Sequence, residues 1–183
     1  MITLGLFTLL SERESAPDDG TLPIWLLPAP VENMVNGMTV YGQGWHADAQ
    51  WYLGQVADLV KPGMRVLDFG AGTGILAIAA ARMGAEVTAC EIEPNALKLC
   101  QENCALNEVR VDVVTKPEGK FDLIFANMGL PTDPADDSYE HAQTRKLLAG
   151  VLAPGGRLVL MEAPAPVIED HSGTVIDPFG NIL

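Results

Sequence analysis

Between Arg65 and Glu91 the residues are laid out as a strand, a glycine-rich bend, a helix and a second strand that ends in an acid. The first apolar run, Arg65–Phe69, carries Asp68 two residues before Gly70, and Gly70, Gly72 and Gly74 alternate with Ala71 and Thr73. Glycines at alternate positions let the backbone approach a ligand without Cβ obstruction. The helix that follows, with Ile75, Leu76, Ile78 and Ala79, offers free N–H groups at its N terminus. Glu91 closes the second strand, Glu86–Glu91, about 20 residues beyond the loop. A carboxylate there can accept hydrogen bonds from both hydroxyls of a ribose, with Ile92 beside an adenine. Strand, loop, helix, strand and acid in this order restrict the chain to βα units around a parallel sheet.

The alternation continues on both sides of this unit. Tyr52, Val56, Leu59 and Val60 recur at helical spacing, which predicts a helix starting near His46 and stopping at Lys61-Pro62-Gly63. Gly84 ends the next helix; Pro94 opens a further one in the favoured first-turn position, running to about Leu106 and closed by Asn107. Val109–Val114 and Phe121–Ala126 read as the third and fourth strands, joined by the short Lys116–Lys120 turn. A helix from about Ala135 to Leu152 and a strand Arg157–Met161 complete five parallel strands. The expected fold is α/β: a Rossmann-like αβα sandwich with a mainly parallel sheet, its C-terminal strands shortened to one hairpin after Pro164. Residues 1–45 are expected to form a small N-terminal β extension or lid on the main domain, residues 46–183. In that extension the runs Ile2–Leu10 and Leu22–Leu27 would pair as a hairpin across an exposed Ser11–Gly20 loop.

With 183 residues, 48% of them hydrophobic and only 6% aromatic, one domain cored by Ala, Val, Leu and Ile is expected. The formal charge of -13 repels phosphate backbones, and the 11 Lys and Arg are scattered, so nucleic acid is not the expected partner. A basic protein segment or a small amine suits the sign. Cys90, Cys100 and Cys104 have neither disulfide-scaffold nor zinc spacing and read as reduced packing residues, with no metal site expected. The Met1–Leu10 run lacks a basic leader and reads as strand. No stretch reaches the roughly 20 apolar residues of a membrane span, so the cytoplasm is the expected location.

A dinucleotide site seats its pyrophosphate on G-x-G-x-x-G. This loop is G-x-G-x-G behind Asp68, where an anion disfavours phosphate and suits the zwitterionic methionine tail of S-adenosylmethionine. With these residues the Arg65–Asn107 segment resembles the class I S-adenosylmethionine-dependent methyltransferases. It is most similar to the bacterial ribosomal-protein lysine methyltransferases: the loop runs into Ile75-Leu76-Ala77-Ile78-Ala79, and Glu91-Ile92-Glu93-Pro94 matches an acid-Ile-acid-Pro motif. Phe121–Asn127 matches their fourth-strand motif, a strand ending in Asn. The resemblance implies that Asp68, Gly70 and Gly72 line the methionine end of the cofactor, with Ala71, Thr73 and Gly74 in the same loop, and that Glu91 holds the ribose. It also implies that Asn127, at the carboxyl edge of the sheet, contacts cofactor and orients a neutral amine. The sequence departs from the family after Asn127, where Met128-Gly129-Leu130-Pro131 replaces two prolines and an aromatic. Upstream, Gly42-Gln43-Gly44-Trp45-His46 keeps the relatives' glycines and histidine, but Ala47-Asp48-Ala49 replaces a proline and two threonines.

Methyl transfer from a sulfonium is an in-line displacement that needs the acceptor lone pair about 3 Å from the methyl carbon. His46 is the candidate to take the amine proton; Asp133, Asp136, Asp137 and Glu140 either attract a cationic substrate or simply complement a helix dipole. Trp45, Trp51 and Tyr52 either wall the pocket or pack a helix on the sheet. The expected activity is methyl transfer to an amino nitrogen of a protein or small molecule. Two other classes stay open: aminopropyl transfer to a polyamine, and a non-catalytic cofactor-binding subunit that works by interaction, its exposed edge covered by another chain; a homo-oligomer is open in either case.

Overall fold

The computed structural model describes residues 1–27, 34–35, 38–39, 47–126, 139–160, 167–170 and 175–176. Its elements run β1 (Ile2–Leu4), β2 (Phe7–Ser11), β3 (Leu22–Leu26), β4 (Met34–Val35), β5 (Met38–Thr39), α1 (Ala47–Leu59), β6 (Arg65–Phe69), α2 (Ile75–Arg82), β7 (Glu86–Cys90) and α3 (Pro94–Leu106). They continue with β8 (Val111–Val114), β9 (Phe121–Ala126), α4 (Tyr139–Val151), β10 (Leu152–Leu160), β11 (Val167–Asp170) and β12 (Val175–Ile176). The main sheet has seven strands in the order β12-β11-β10-β9-β6-β7-β8. The five strands β10 to β8 are parallel, and β11 and β12 add an antiparallel hairpin at one edge, so the expected Rossmann-like αβα sandwich is the observed one.

The parallel strands of the sheet alternate their side chains between two cores. Val66, Val87, Ala89, Leu123, Phe125 and Val159 face a cluster built with α1, α2 and α3. Leu67, Phe69, Cys90, Ile124, Leu158 and Leu160 face Leu148 and Val151 of α4. From β6 the chain winds outward to β7 and β8, then returns to β9 on the other side of β6. Chain order therefore reverses between β6 and β9, and open α/β sheets hold their ligands at such a point, beyond the carboxyl ends of the strands.

Three boundaries differ from the sequence expectation. The third strand starts at Val111, because Glu108 takes a left-handed conformation (φ 55°) and the Val109 N–H turns back to the Cys104 carbonyl, closing α3. The fifth strand starts as early as Leu152, which pairs with Phe121 before the Pro154-Gly155-Gly156 bend shifts the register and Arg157 resumes opposite Leu123. At the N terminus the two apolar runs do not make a hairpin with each other. Ile2–Leu10 turns on itself at Gly5-Leu6 to give the antiparallel pair β1-β2, and β3 pairs with β2 in parallel, the largely exposed segment 12–21 serving as the crossover.

The N-terminal sheet is bonded tightly to the rest. Phe7, Leu9, Ile24 and Leu26 are buried in the same cluster as Tyr52, Leu76 and Ala80, each such side chain being worth about 1.5–3 kcal/mol in gross transfer terms. The buried Thr8 hydroxyl is satisfied by Thr3 and Thr21, at 3.0 and 2.6 Å.

Candidate functional site

Strand register brings the candidate residues to one edge. Phe69 lies opposite Cys90 on one side and Ala126 on the other, so the glycine loop after β6, the acid after β7 and the end of β9 emerge together. The Gly70 and Ala71 N–H groups both donate to the Cys90 carbonyl, at 2.9 and 3.0 Å, stitching the start of the loop to the end of β7. The loop then closes with the Gly74 N–H donating to the Ala71 carbonyl at 2.8 Å.

Glu91 is the hub of this edge. Its Oε2 accepts the Gly72 N–H at 2.9 Å, and its Oε1 accepts the N–H groups of Ile92 and Glu93 at 2.8 and 2.9 Å. Two carboxylate oxygens have about four lone-pair directions between them, and with three N–H groups accepted about one stays open to a hydroxyl donor. Ile92 beside it is 75% exposed, an apolar side chain held out where a planar base can lie against it. A Cβ built on Gly72 (φ 53°) meets nothing within 4 Å, so that face of the loop is open to a ligand. Gly74 has no side chain to cap α2, and the Ala77 N–H is taken by Asp68, which leaves the N–H groups of Ile75 and Leu76 ahead of it for a carboxylate. The next helix is capped within its own segment: Glu93 accepts the Ala96 N–H at 2.7 Å, with Pro94 at the first helical position.

Asp68 plays a part the sequence did not reveal. It is 1% exposed, and its Oδ2 accepts the Ala77 N–H at 3.0 Å, so the strand supplies the cap that Gly74 cannot. Burial pushes its carboxyl up to about 7, against the pull of the Ala77 N–H bond, and the negative charge of Glu91 adds to the rise. A carboxyl whose pKa is raised on folding binds its proton more tightly in the native state. Its contribution to stability therefore falls as pH climbs from the ordinary aspartate value of 3.8 towards about 7, and the penalty is complete above that. Asp68→Asn keeps an acceptor for Ala77 and removes the titration. The variant is expected to exceed the wild type in urea midpoint near pH 8, the gap shrinking near pH 5. An equal gap at both values would show that Asp68 does not titrate in this window.

Tyr52 packs edge-on against Phe125, with ring centroids 6.3 Å apart at 76°, and its buried hydroxyl donates to the Ala126 carbonyl at 3.1 Å. It thus packs α1 on the sheet and also ties down the end of β9. His46, Asn127, Trp45, Asp133, Asp136 and Asp137 lie outside the described residues. Cys90, Cys100 and Cys104 are buried free thiols. Burial, with Glu91 and Asp68 nearby, pushes Cys90 up to about 11; Cys100 is driven upward by its hydrogen bond to Cys104 and by burial. Among the described residues no group of His, Cys, Asp and Glu could hold a metal ion, and no helix is long and apolar enough to cross a membrane.

Sequence reading also passed over Asn103, buried on α3, and took Asn107, its buried C-cap, only as the helix end. The available signal was their position in the apolar stripe of Leu99, Cys100 and Cys104, where a polar side chain needs partners.

Residues 31–131 match the family described as Ribosomal protein L11 methyltransferase (PrmA). A ribosomal protein L11 methyltransferase of Geobacter sulfurreducens is 36% identical over 168 residues, which cover 86% of this chain and 52% of the relative. The chain thus spans about half the length of that curated relative. Among solved structures, a ribosomal protein L11 methylase from Lactobacillus delbrueckii subsp. bulgaricus superposes with a TM-score of 0.67 at 25% identity, covering 87% of this chain and 77% of that one. A T. thermophilus 16S rRNA methyltransferase in complex with AdoMet and guanosine shares the fold at a TM-score of 0.52 and 24% identity, over 63% of this chain and 34% of that one. With the family match extending over more than half of its residues, and with the glycine loop and Glu91 inside that match, this chain belongs to the ribosomal protein L11 methyltransferase family.

Proposed function

We propose that this chain binds S-adenosylmethionine and transfers its methyl group to an amino nitrogen of a protein, with ribosomal protein L11 the first substrate to try. The observation that carries the reading is the junction of Gly72 and Glu91 beside the β6–β9 point where chain order reverses: an open backbone face and a carboxylate share one hydrogen bond. The residues suit each part of the cofactor. The N–H groups at the start of α2, ahead of the Ala77 that Asp68 caps, would take the methionine carboxylate, Glu91 would hold the ribose and Ile92 would lie on the adenine. The bound cofactor would supply an electrophilic methyl on a sulfonium.

In this proposal Asn127, next after the Ala126 that Tyr52 anchors, orients the neutral amine, and His46 accepts its proton. Residues 1–45 act as an extension or lid on the 46–183 domain, and the protein works in the cytoplasm. Support comes from the names of the relatives and from the AdoMet held by the T. thermophilus neighbour, which favour methyl transfer over aminopropyl transfer or a non-catalytic role. The net charge of -13 suits a basic protein acceptor.

The test is incubation of the purified chain with methyl-labelled S-adenosylmethionine and L11, alongside calorimetric titration with S-adenosylhomocysteine. Label in N-methyl form on L11 is the expected result. Absence of homocysteine-analogue binding overturns the cofactor assignment, and binding without transfer to L11 or any other amine moves the chain to the non-catalytic reading.

A further inference from the structure

Asn103, in the last turn of α3, and Asn107, its C-cap, are 0% and 4% exposed, and between them they convert the free edge of β3 into a paired one. The Trp25 N–H donates to Asn107 Oδ1 at 2.9 Å, and Asn107 Nδ2 donates back to the Trp25 carbonyl at 2.6 Å. Two residues along, the Leu27 N–H donates to Asn103 Oδ1 at 2.8 Å. The remaining arm of Asn103 points elsewhere: its Nδ2 donates to the carbonyl of Thr73, in the glycine loop, at 2.9 Å. One buried amide therefore joins the N-terminal sheet to the loop.

The bond has a mechanical meaning. The Thr73 carbonyl belongs to the peptide unit whose N–H, on Gly74, donates to Ala71. A peptide between flexible glycine neighbours can flip at little cost, and a loop that flips loses the aim of its N–H groups. Asn103 holds one end of this unit and Ala71 the other, which fixes one orientation. A buried amide serving two elements also transmits displacement between them, since neither carbonyl nor N–H can move without stranding a polar group.

We propose that Asn103 is a positioning residue for the cofactor loop, and that through it the N-terminal sheet and the occupancy of the loop are coupled. The inference rests on the proposed binding of the sulfonium nucleoside. By reciprocity, ligand in the loop must tighten the Leu27 bond as much as that bond tightens the ligand.

Asn103→Asp isolates the loop arm: its carboxylate still accepts from Leu27 and can no longer donate to Thr73. Asn107→Asp is the control, weakening the dock at Trp25 without touching the loop. The measurements are S-adenosylhomocysteine affinity by calorimetry and amide hydrogen exchange with and without that ligand. Asn103→Asp should lose about tenfold in affinity and Asn107→Asp no more than about twofold. In the wild type, ligand should slow exchange at Leu27, a response that Asn103→Asp abolishes; a purely structural Asn103 would lower the melting temperature and leave the response intact. Without ligand, the Gly74 amide should exchange faster in Asn103→Asp than in Asn107→Asp. Wild-type affinity in Asn103→Asp, or wild-type Leu27 exchange indifferent to ligand, overturns the coupling. If Asn103→Asp does not fold, the wild-type comparison decides alone. Failure of the wild type to bind the analogue removes the functional reading and this coupling with it, whereas the ligand-free Gly74 comparison still judges the loop lock by itself.

Discussion

Glu91→Ala should reduce affinity for S-adenosylhomocysteine by about 100-fold or more, the largest single effect expected at this site. Hydrogen bonds to a charged group contribute about 1.5–3 kcal/mol each, and a tenfold change in affinity is about 1.4 kcal/mol, so losing a ribose bond together with the anchorage of the loop reaches this range. The carboxylate also holds the Gly72 N–H and the two N–H groups after β7, so the alanine variant releases the loop as well as the sugar. Glu91→Gln separates the two contributions. Its one carbonyl oxygen can serve either Gly72 or the Ile92 and Glu93 pair, and its NH2 must face donors on the other side, so it should bind more weakly than wild type and more tightly than alanine. Calorimetric titration of the three proteins measures the order. If Glu91→Ala titrates within about twofold of wild type, Glu91 does not hold the ligand and the assignment of this edge is wrong.

How much of this was legible beforehand follows from which interactions are local. β6, the loop and α2, as well as α3 with Pro94 at its start, were readable because apolar period and turn chemistry fix them within a few residues of sequence. So was Glu91, since the acid and the loop are one βα unit apart. What could not be read depends on contacts between distant segments. The parallel pairing of β2 with β3 turns on where the Gly5-Leu6 bend falls, and alternating apolar runs fit a hairpin equally well. Asn103 and Asn107 are partnered with residues some 76 to 82 positions away. The resemblance puts Asp68 at the methionine end of the cofactor; its bond to Ala77, a separate role, becomes visible only when the helix is folded back over the strand. Where a polar residue interrupts an apolar face, the sequence poses a question about partners, and tertiary structure supplies the answer.

The same geometry separates two glycines that the motif treats alike. Gly74→Ala should cost the folded protein about 2–5 kcal/mol. Its φ of 78° lies in the left-handed region, where a side chain costs about 1–2 kcal/mol, and the new Cβ would stand 2.7 Å from Cys100 Sγ, an overpacking typically worth a further 1–3. Because Cys100 is fully buried on α3, its sulfur cannot swing into solvent, so the clash must be absorbed by separating α3 from the loop. Adding Cys100→Ala should recover the steric share and leave the conformational one, giving a coupling of about 1–3 kcal/mol in a double-mutant cycle read from urea unfolding. Gly72→Ala should show the opposite balance. Its φ of 53° carries a similar backbone penalty but its Cβ enters open space, so stability falls by only about 1–2 kcal/mol, while the methyl occupies the face over which the ligand must come. Ligand affinity should therefore drop more for Gly72→Ala than for Gly74→Ala/Cys100→Ala at matched stability. If Gly72→Ala binds S-adenosylhomocysteine as well as wild type does, the ligand approaches from another side of the loop; if Gly74→Ala is no less stable than wild type, α3 is not packed against the loop as described.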